Sequence, residues 1–151
     1  MMRSNIIAAT VLLLTLVAQA GHEQWTTDYD KAVAQAKDEQ KVLFLNFTST
    51  DGNPTVRKFN KEILGQDKFY AYAKDHGVIL VDIIMGGKKS KNPATAKQHA
   101  AAVKKYNVKK FPVVLIADTT GTVLGELDYA AGGPEPFIAK LDDIIKKAAA
   151  K

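Results

Sequence analysis

The chain contains no cysteine. That excludes disulfides, thiolate metal sites and every mechanism in which a protein thiolate is the nucleophile. Histidine is scarce, at three residues. His22, His76 and His99 have no i,i+4 or clustered spacing, so no metal site is expected. No serine sits in a nucleophile elbow of a Ser-His-Asp arrangement. The segment Gly86-Gly87-Lys88-Lys89-Ser90 lacks the spacing of a phosphate-binding loop and reads as a solvated turn. Asp28, Asp30, Asp51 and Glu62 read as helix caps and solvated positions rather than as a catalytic pair. No cofactor is implied by any of these patterns.

What is present is ordinary for one soluble domain with a real core: 46% hydrophobic and 25% charged residues in 151. The first twenty residues differ in kind. Arg3 is their only charge, Ile6 to Val17 is almost wholly apolar, and Ala18-Gln19-Ala20 is a small-x-small site. This is the pattern of a secretory signal peptide cleaved after Ala20, with residues 21–151 as the mature domain. The apolar run is short for a membrane span, and an uncleaved anchor is the alternative. No cysteine follows the run, so lipid attachment there is excluded. A periplasmic or secreted location is expected, with no stable membrane anchor after cleavage. The net charge of +5 is scattered as lysine, which favours solubility over a dedicated nucleic-acid site.

The chain is organised around Val42 to Phe59. An apolar strand (Val42, Leu43, Phe44, Leu45, Phe47) runs through a polar turn into a helix opening at Asn53-Pro54. Asn suits the N-cap, and proline suits the first helical position, where its missing N–H is no loss. Before this stretch, Thr27 to Asp30 resembles a capping box and predicts a helix from about Asp28 to Glu39. After it, a helix is expected from Pro54 to about Leu64, ended by Gly65, and another from Asp67 to Asp75. Val78 to Ile84 has the continuous apolar character of a strand covered on both faces. Asn92-Pro93 opens a helix to about Tyr106, with Lys97, Lys104 and Lys105 toward solvent. Val113–Ala117 and Val123–Leu127 should form an antiparallel hairpin. Gly132-Gly133-Pro134 opens a last helix to about Lys147, buried along Phe137, Leu141, Ile144 and Ile145. Trp25 is expected to pack under the first helix. Asn46-Phe47-Thr48 fits a glycosylation sequon, but in a central strand a glycan has no room. The order α-β-α-α-β-α-β-β-α implies parallel crossovers first and a mixed α/β sheet, in one domain.

This order, with Pro112 at the start of the third strand, resembles the thioredoxin fold, an α/β three-layer sandwich with helices on both faces of a central mixed sheet. It resembles in particular exported thioredoxin-like proteins in which Phe-Thr-Gly-Ser-Asp-Trp leads into Cys-x-x-Cys and a lysine-rich helix. The corresponding text here is Phe47-Thr48-Ser49-Thr50-Asp51-Gly52, then Asn53-Pro54-Thr55-Val56, then Arg57 to Glu62. Val108-Lys109-Lys110-Phe111-Pro112 and Gly132-Gly133 match later marks of the family. The resemblance implies a cis bond before Pro112, a loop that faces the helix start, and main-chain pairing there with an extended segment. Asn53 and Val56 stand where the two cysteines would be, so the family's redox activity is not implied. Asn46 stands at or beside the position of a buried acid that some relatives use for proton transfer.

The resulting expectation is a redox-inactive protein, not an enzyme, that binds polypeptide at Gly52, Asn53, Pro54, Thr55, Phe111 and Pro112. The plain structural reading of Asn53-Pro54, a helix start, is compatible with it. One alternative is an oxidoreductase relative active only with a partner's cysteines. Another is an interaction module using the basic residues Lys88, Lys89, Lys91, Lys104, Lys105, Lys109 and Lys110.

Overall fold

The computed structural model describes residues 24–86 and 92–151. The expected signal peptide, its cleavage point, His22 and the lysines at 88, 89 and 91 lie outside the described residues. The elements in order are β1 (Trp25–Thr26), α1 (Tyr29–Glu39), β2 (Leu43–Ser49), α2 (Pro54–Phe59), a π-helical turn (Asn60–Leu64), α3 (Asp67–Asp75), β3 (Ile79–Met85), α4 (Pro93–Lys105), β4 (Val113–Ala117), β5 (Val123–Leu127) and α5 (Pro134–Ala149).

The sheet order is β1-β3-β2-β4-β5. Strands β1 and β2 run parallel to β3, while β4 is antiparallel to β2 and β5 is antiparallel to β4. This is the expected mixed sheet with one strand added. β1 is only two residues long, too short to show any alternation in sequence. Its place is fixed by backbone pairing of Trp25 and Thr26 with Leu80 and Val81.

Residues two apart on a strand share a face. On β2, Leu43, Leu45 and Phe47 therefore point one way and Phe44 and Asn46 the other. The first face packs with Val81, Ile83, Val113 and Leu115 against small residues of α1 and α4, including Ala32, Ala36 and Ala102. The second face is aromatic, with Phe44, Phe59, Phe69 and Phe137 packed beneath α2, α3 and α5. Phe44 meets Phe69 edge-on at 5.2 Å between ring centres, and Phe59 meets Phe137 at 5.4 Å. Such geometry adds about 0.5–1.5 kcal/mol per pair beyond area burial.

Three local expectations are corrected. The cap of α1 is Asp28, not Thr27: the Asp28 carboxylate accepts from the Lys31 N–H at 3.1 Å. Trp25 does not lie under α1. It stands on the aromatic face, 5.9 Å from Phe44 and 6.2 Å from Phe69, because pairing with β3 carries it to the edge of that layer. The helix from Pro54 is not uniform, since its second half widens into the π turn, closed by the Gly65 N–H on the Asn60 carbonyl at 2.7 Å.

Gly65 is required there for space. A Cβ at this position would lie 2.7 Å from the Asn60 carbonyl oxygen, a backbone atom with little room to yield. Gly65→Ala is therefore expected to lower stability by about 1–3 kcal/mol. A shift of the urea midpoint at unchanged slope is the measurement, and an unchanged midpoint would contradict the assigned closure.

Candidate functional site

The turn between β2 and α2 delivers Asn53 to the helix start. Its side-chain oxygen accepts from the Thr55 N–H at 2.9 Å, capping α2 as the sequence predicts. The same side chain has a second role that capping preference does not foretell. Its Nδ2 donates to the Phe111 carbonyl at 3.1 Å, across 58 positions of sequence. One amide thus joins the helix start to the loop before β4, where the Phe111–Pro112 bond is cis.

Val56 is buried on α2, with 7% of its surface exposed. It contributes apolar volume below the turn and offers no chemistry. Gly52, Pro54 and Thr55 are exposed, while Asn53 and Phe111 are half-buried and Pro112 is buried. Gly52 has φ of 81°, the left-handed region that glycine enters without a Cβ penalty. Its carbonyl accepts from the Arg57 guanidinium. The turn is therefore pinned from both sides, by Asn53 to the Phe111 loop and by Arg57 to its own helix. The Asn53–Phe111 hydrogen bond sets the turn beside the loop that carries Phe111 and Pro112.

Behind the turn, Asn46 is buried in β2 with 2% exposure, and its Nδ2 donates to Asp82 of β3 at 2.8 Å. The two are direct cross-strand partners. A neutral amide is thus paired with an acid here, with no second titrating group in the pair to pass a proton to.

The histidines are structural where described. His99 is buried on α4, its Nε2 2.8 Å from the Thr27 carbonyl and its Nδ1 3.1 Å from the Ile84 N–H. Nε2 donating to the Thr27 carbonyl and Nδ1 accepting from the Ile84 N–H satisfy both contacts, and the latter ties α4 to the end of β3. Sequence gave no signal of this beyond a polar residue on an apolar helix face. His76 stacks on Tyr72 at 4.0 Å, at the end of α3. No group of three or more potential metal ligands occurs among the described residues.

The basic surface is partly neutralised. Lys110 lies 2.9 Å from Asp128 and 3.2 Å from Glu126, and these carboxylates, Asp128 first, hold its ammonium above the usual lysine range. Lys105 lies over the Tyr106 ring at 5.2 Å. Lys104 and Lys109 are exposed.

A family model described as a thioredoxin-like domain matches residues 29–145, and the chain belongs to that family. Among curated proteins it is similar to the disulfide bond reductase DsbH of Chlamydia pneumoniae, at 26% identity over 129 residues, 84% of this chain and 75% of that one. A solved DsbH oxidoreductase superposes with a TM-score of 0.73 at 23% identity, covering 78% of this chain and 81% of that one. A thioredoxin from Thermus thermophilus gives a TM-score of 0.61 at 16% identity, over 83% and 89% of the two chains. These structural likenesses carry the fold. The present chain has no cysteine, so it has no thiol of its own to exchange.

Substitutions at Asn53 separate its two roles. Asn53→Ala removes cap and tether together and is expected to cost about 1–2 kcal/mol. Asn53→Ser keeps a capping oxygen but cannot reach Phe111, so its cost should be roughly half as large. Equal losses for the two variants in chemical denaturation would show that the tether contributes nothing to stability.

Proposed function

We propose that this chain is an exported, redox-inactive thioredoxin-like protein that binds an extended polypeptide segment between the Gly52–Thr55 turn and the Phe111-Pro112 loop. The observation that carries this reading is the Asn53–Phe111 hydrogen bond. It holds the two segments side by side without sulfur, leaving a partly exposed surface of main chain and one aromatic ring. The Phe111 carbonyl keeps a second lone pair after accepting from Asn53. Main-chain pairing of an extended segment requires donors and acceptors of this kind and no cysteine. The ion pairs of Lys110 draw charge away from the basic face and favour the turn over it as the binding surface.

The test is a titration of the 15N-labelled protein with extended peptides, followed at the amides of Gly52, Asn53, Thr55, Val56 and Phe111. Saturable shifts confined to these positions are expected. Binding that leaves them fixed, or no binding by any peptide, would overturn the assignment. In an insulin reduction assay the unaltered protein is expected to give no turnover above the uncatalysed rate, since exchange needs a thiolate.

A variant carrying Asn53→Cys and Val56→Cys probes whether the scaffold lacks only sulfur. Placed at a helix start, a thiol at position 53 is expected to ionise below the ordinary cysteine range. The folded double variant should then show measurable disulfide exchange. A folded but inert double variant would mean that more than the two sulfur atoms has been lost.

A further inference from the structure

The sequence contains a single Asp-Gly pair, Asp51-Gly52, and no Asn-Gly pair. It immediately precedes Asn53, and both of its residues are exposed. The last sheet-type bond ahead of it is the Thr50 N–H on the Met85 carbonyl, at 3.1 Å. From there to the Gly52 carbonyl, which accepts from Arg57, the main chain makes no hydrogen bond among the described residues. The Asp51 backbone can therefore rotate without breaking one. The Gly52 N–H is likewise unbonded, and no Cβ on Gly52 crowds its nitrogen.

Such a pair has a reaction open to it that needs no enzyme. The Gly52 amide nitrogen attacks the Asp51 side-chain carboxyl carbon. A C–N bond forms, the nitrogen gives up its proton, a carboxyl oxygen leaves as water, and a five-membered succinimide closes. Water then reopens the ring. Attack at the side-chain carbonyl restores aspartate, while attack at the main-chain carbonyl leaves the chain running through the side-chain carbon, as isoaspartate. Mass is unchanged overall, and no oxidant or reductant is used. Two neighbours assist. The Ser49 hydroxyl donates to Asp51 Oδ1 at 2.7 Å, a proton donor at an oxygen that can depart as water. The Arg57 guanidinium on the Gly52 carbonyl sets positive charge near the attacking nitrogen and favours its deprotonated form. Asp75-His76 is the internal contrast: at the end of α3 the His76 N–H donates to the Tyr72 carbonyl at 3.0 Å. That nitrogen must lose a hydrogen bond before it can attack.

We propose that Asp51-Gly52 is a site of spontaneous isomerisation to isoaspartate, and that the conversion loosens the Asn53 bridge. The isomer adds one methylene to the main chain just ahead of Asn53. That segment delivers the Asn53 amide to the Thr55 N–H and the Phe111 carbonyl, so both contacts are displaced together. The chemistry stands whether or not the turn binds polypeptide; only its effect on peptide binding rests on that reading.

The test keeps the purified protein folded at physiological temperature and neutral pH for several weeks, then digests it with trypsin. The peptide from Val42 to Arg57 is expected to divide into two peaks of equal mass, the new one accepting a methyl group from an L-isoaspartyl methyltransferase. A species lighter by one water should precede it. Asp75-His76 should convert several-fold to about tenfold more slowly, the factor set by one main-chain hydrogen bond. Asp51→Asn should convert faster, with ammonia as the leaving group, and Asp51→Ser should not convert. The isomer, separated by chromatography, should show displaced Asn53 and Thr55 amide signals in the 15N spectrum and a lower urea midpoint. A Val42–Arg57 peptide that stays single overturns the site, and so does conversion no faster than at Asp75-His76. An isolated isomer with unchanged Asn53 and Thr55 signals overturns the effect on the bridge.

Discussion

Strand β2 lies between β3 and β4, and six consecutive residues from Leu43 to Thr48 are buried on it. Burying both faces of one strand is the constraint from which the other elements take their positions. Without disulfides, hydrophobic burial and hydrogen bonding must offset the conformational entropy lost on folding. The two faces meet this demand differently. Alanines on α1 and α4 bring those helices close to an aliphatic surface. Beneath α2, α3 and α5 large rings fill a deeper space by edge-on contact. The end of β2 is therefore held rigidly where it turns into α2, and a site built there inherits that rigidity.

Asn53 shows how an amide can hold a helix start in place without a thiol. A cysteine at this place would offer a thiolate stabilised by the helix N–H groups. The amide instead caps those groups through its oxygen and reaches the Phe111 carbonyl through its nitrogen. An amide side chain carries both an acceptor and two donors. Serine or aspartate would cap as well but could not satisfy both contacts in this geometry. The amide is thus a structural bridge between the helix start and the loop, and Val56 adds buried hydrocarbon on the same helix.

Much of this was legible in the sequence because local signals agreed. The paired Asn-Pro openings at 53–54 and 92–93 both cap helices, with side-chain oxygens accepting from the N–H two residues on. The apolar runs became the central strands to within two residues, and the Asp118–Gly121 turn joins the expected hairpin. The departures have physical causes that no local pattern carries. Trp25 is placed by strand pairing with residues more than fifty positions away. The π turn preserves the apolar spacing of Phe59 and Ile63 closely enough to pass for α-helix. Asp28 outcompetes Thr27 as the cap because the Thr26 side chain already engages the Asp28 N–H, at 3.1 Å, fixing the chain one residue later. The second contact of Asn53 and the bonds of His99 are long-range facts, visible only once the fold brings the partners together.

The pairing of Asn46 with Asp82 makes the same point from inside the sheet. By resemblance, the sequence placed a neutral amide at or beside the position of a buried acid that some relatives use for proton transfer. The structure adds that the amide nitrogen donates to the carboxylate on the neighbouring strand while the amide oxygen has no partner. An isolated polar group in an apolar layer would cost stability without return. Here Asn46 lines a cavity together with Trp25, Tyr70, Arg57 and Lys61.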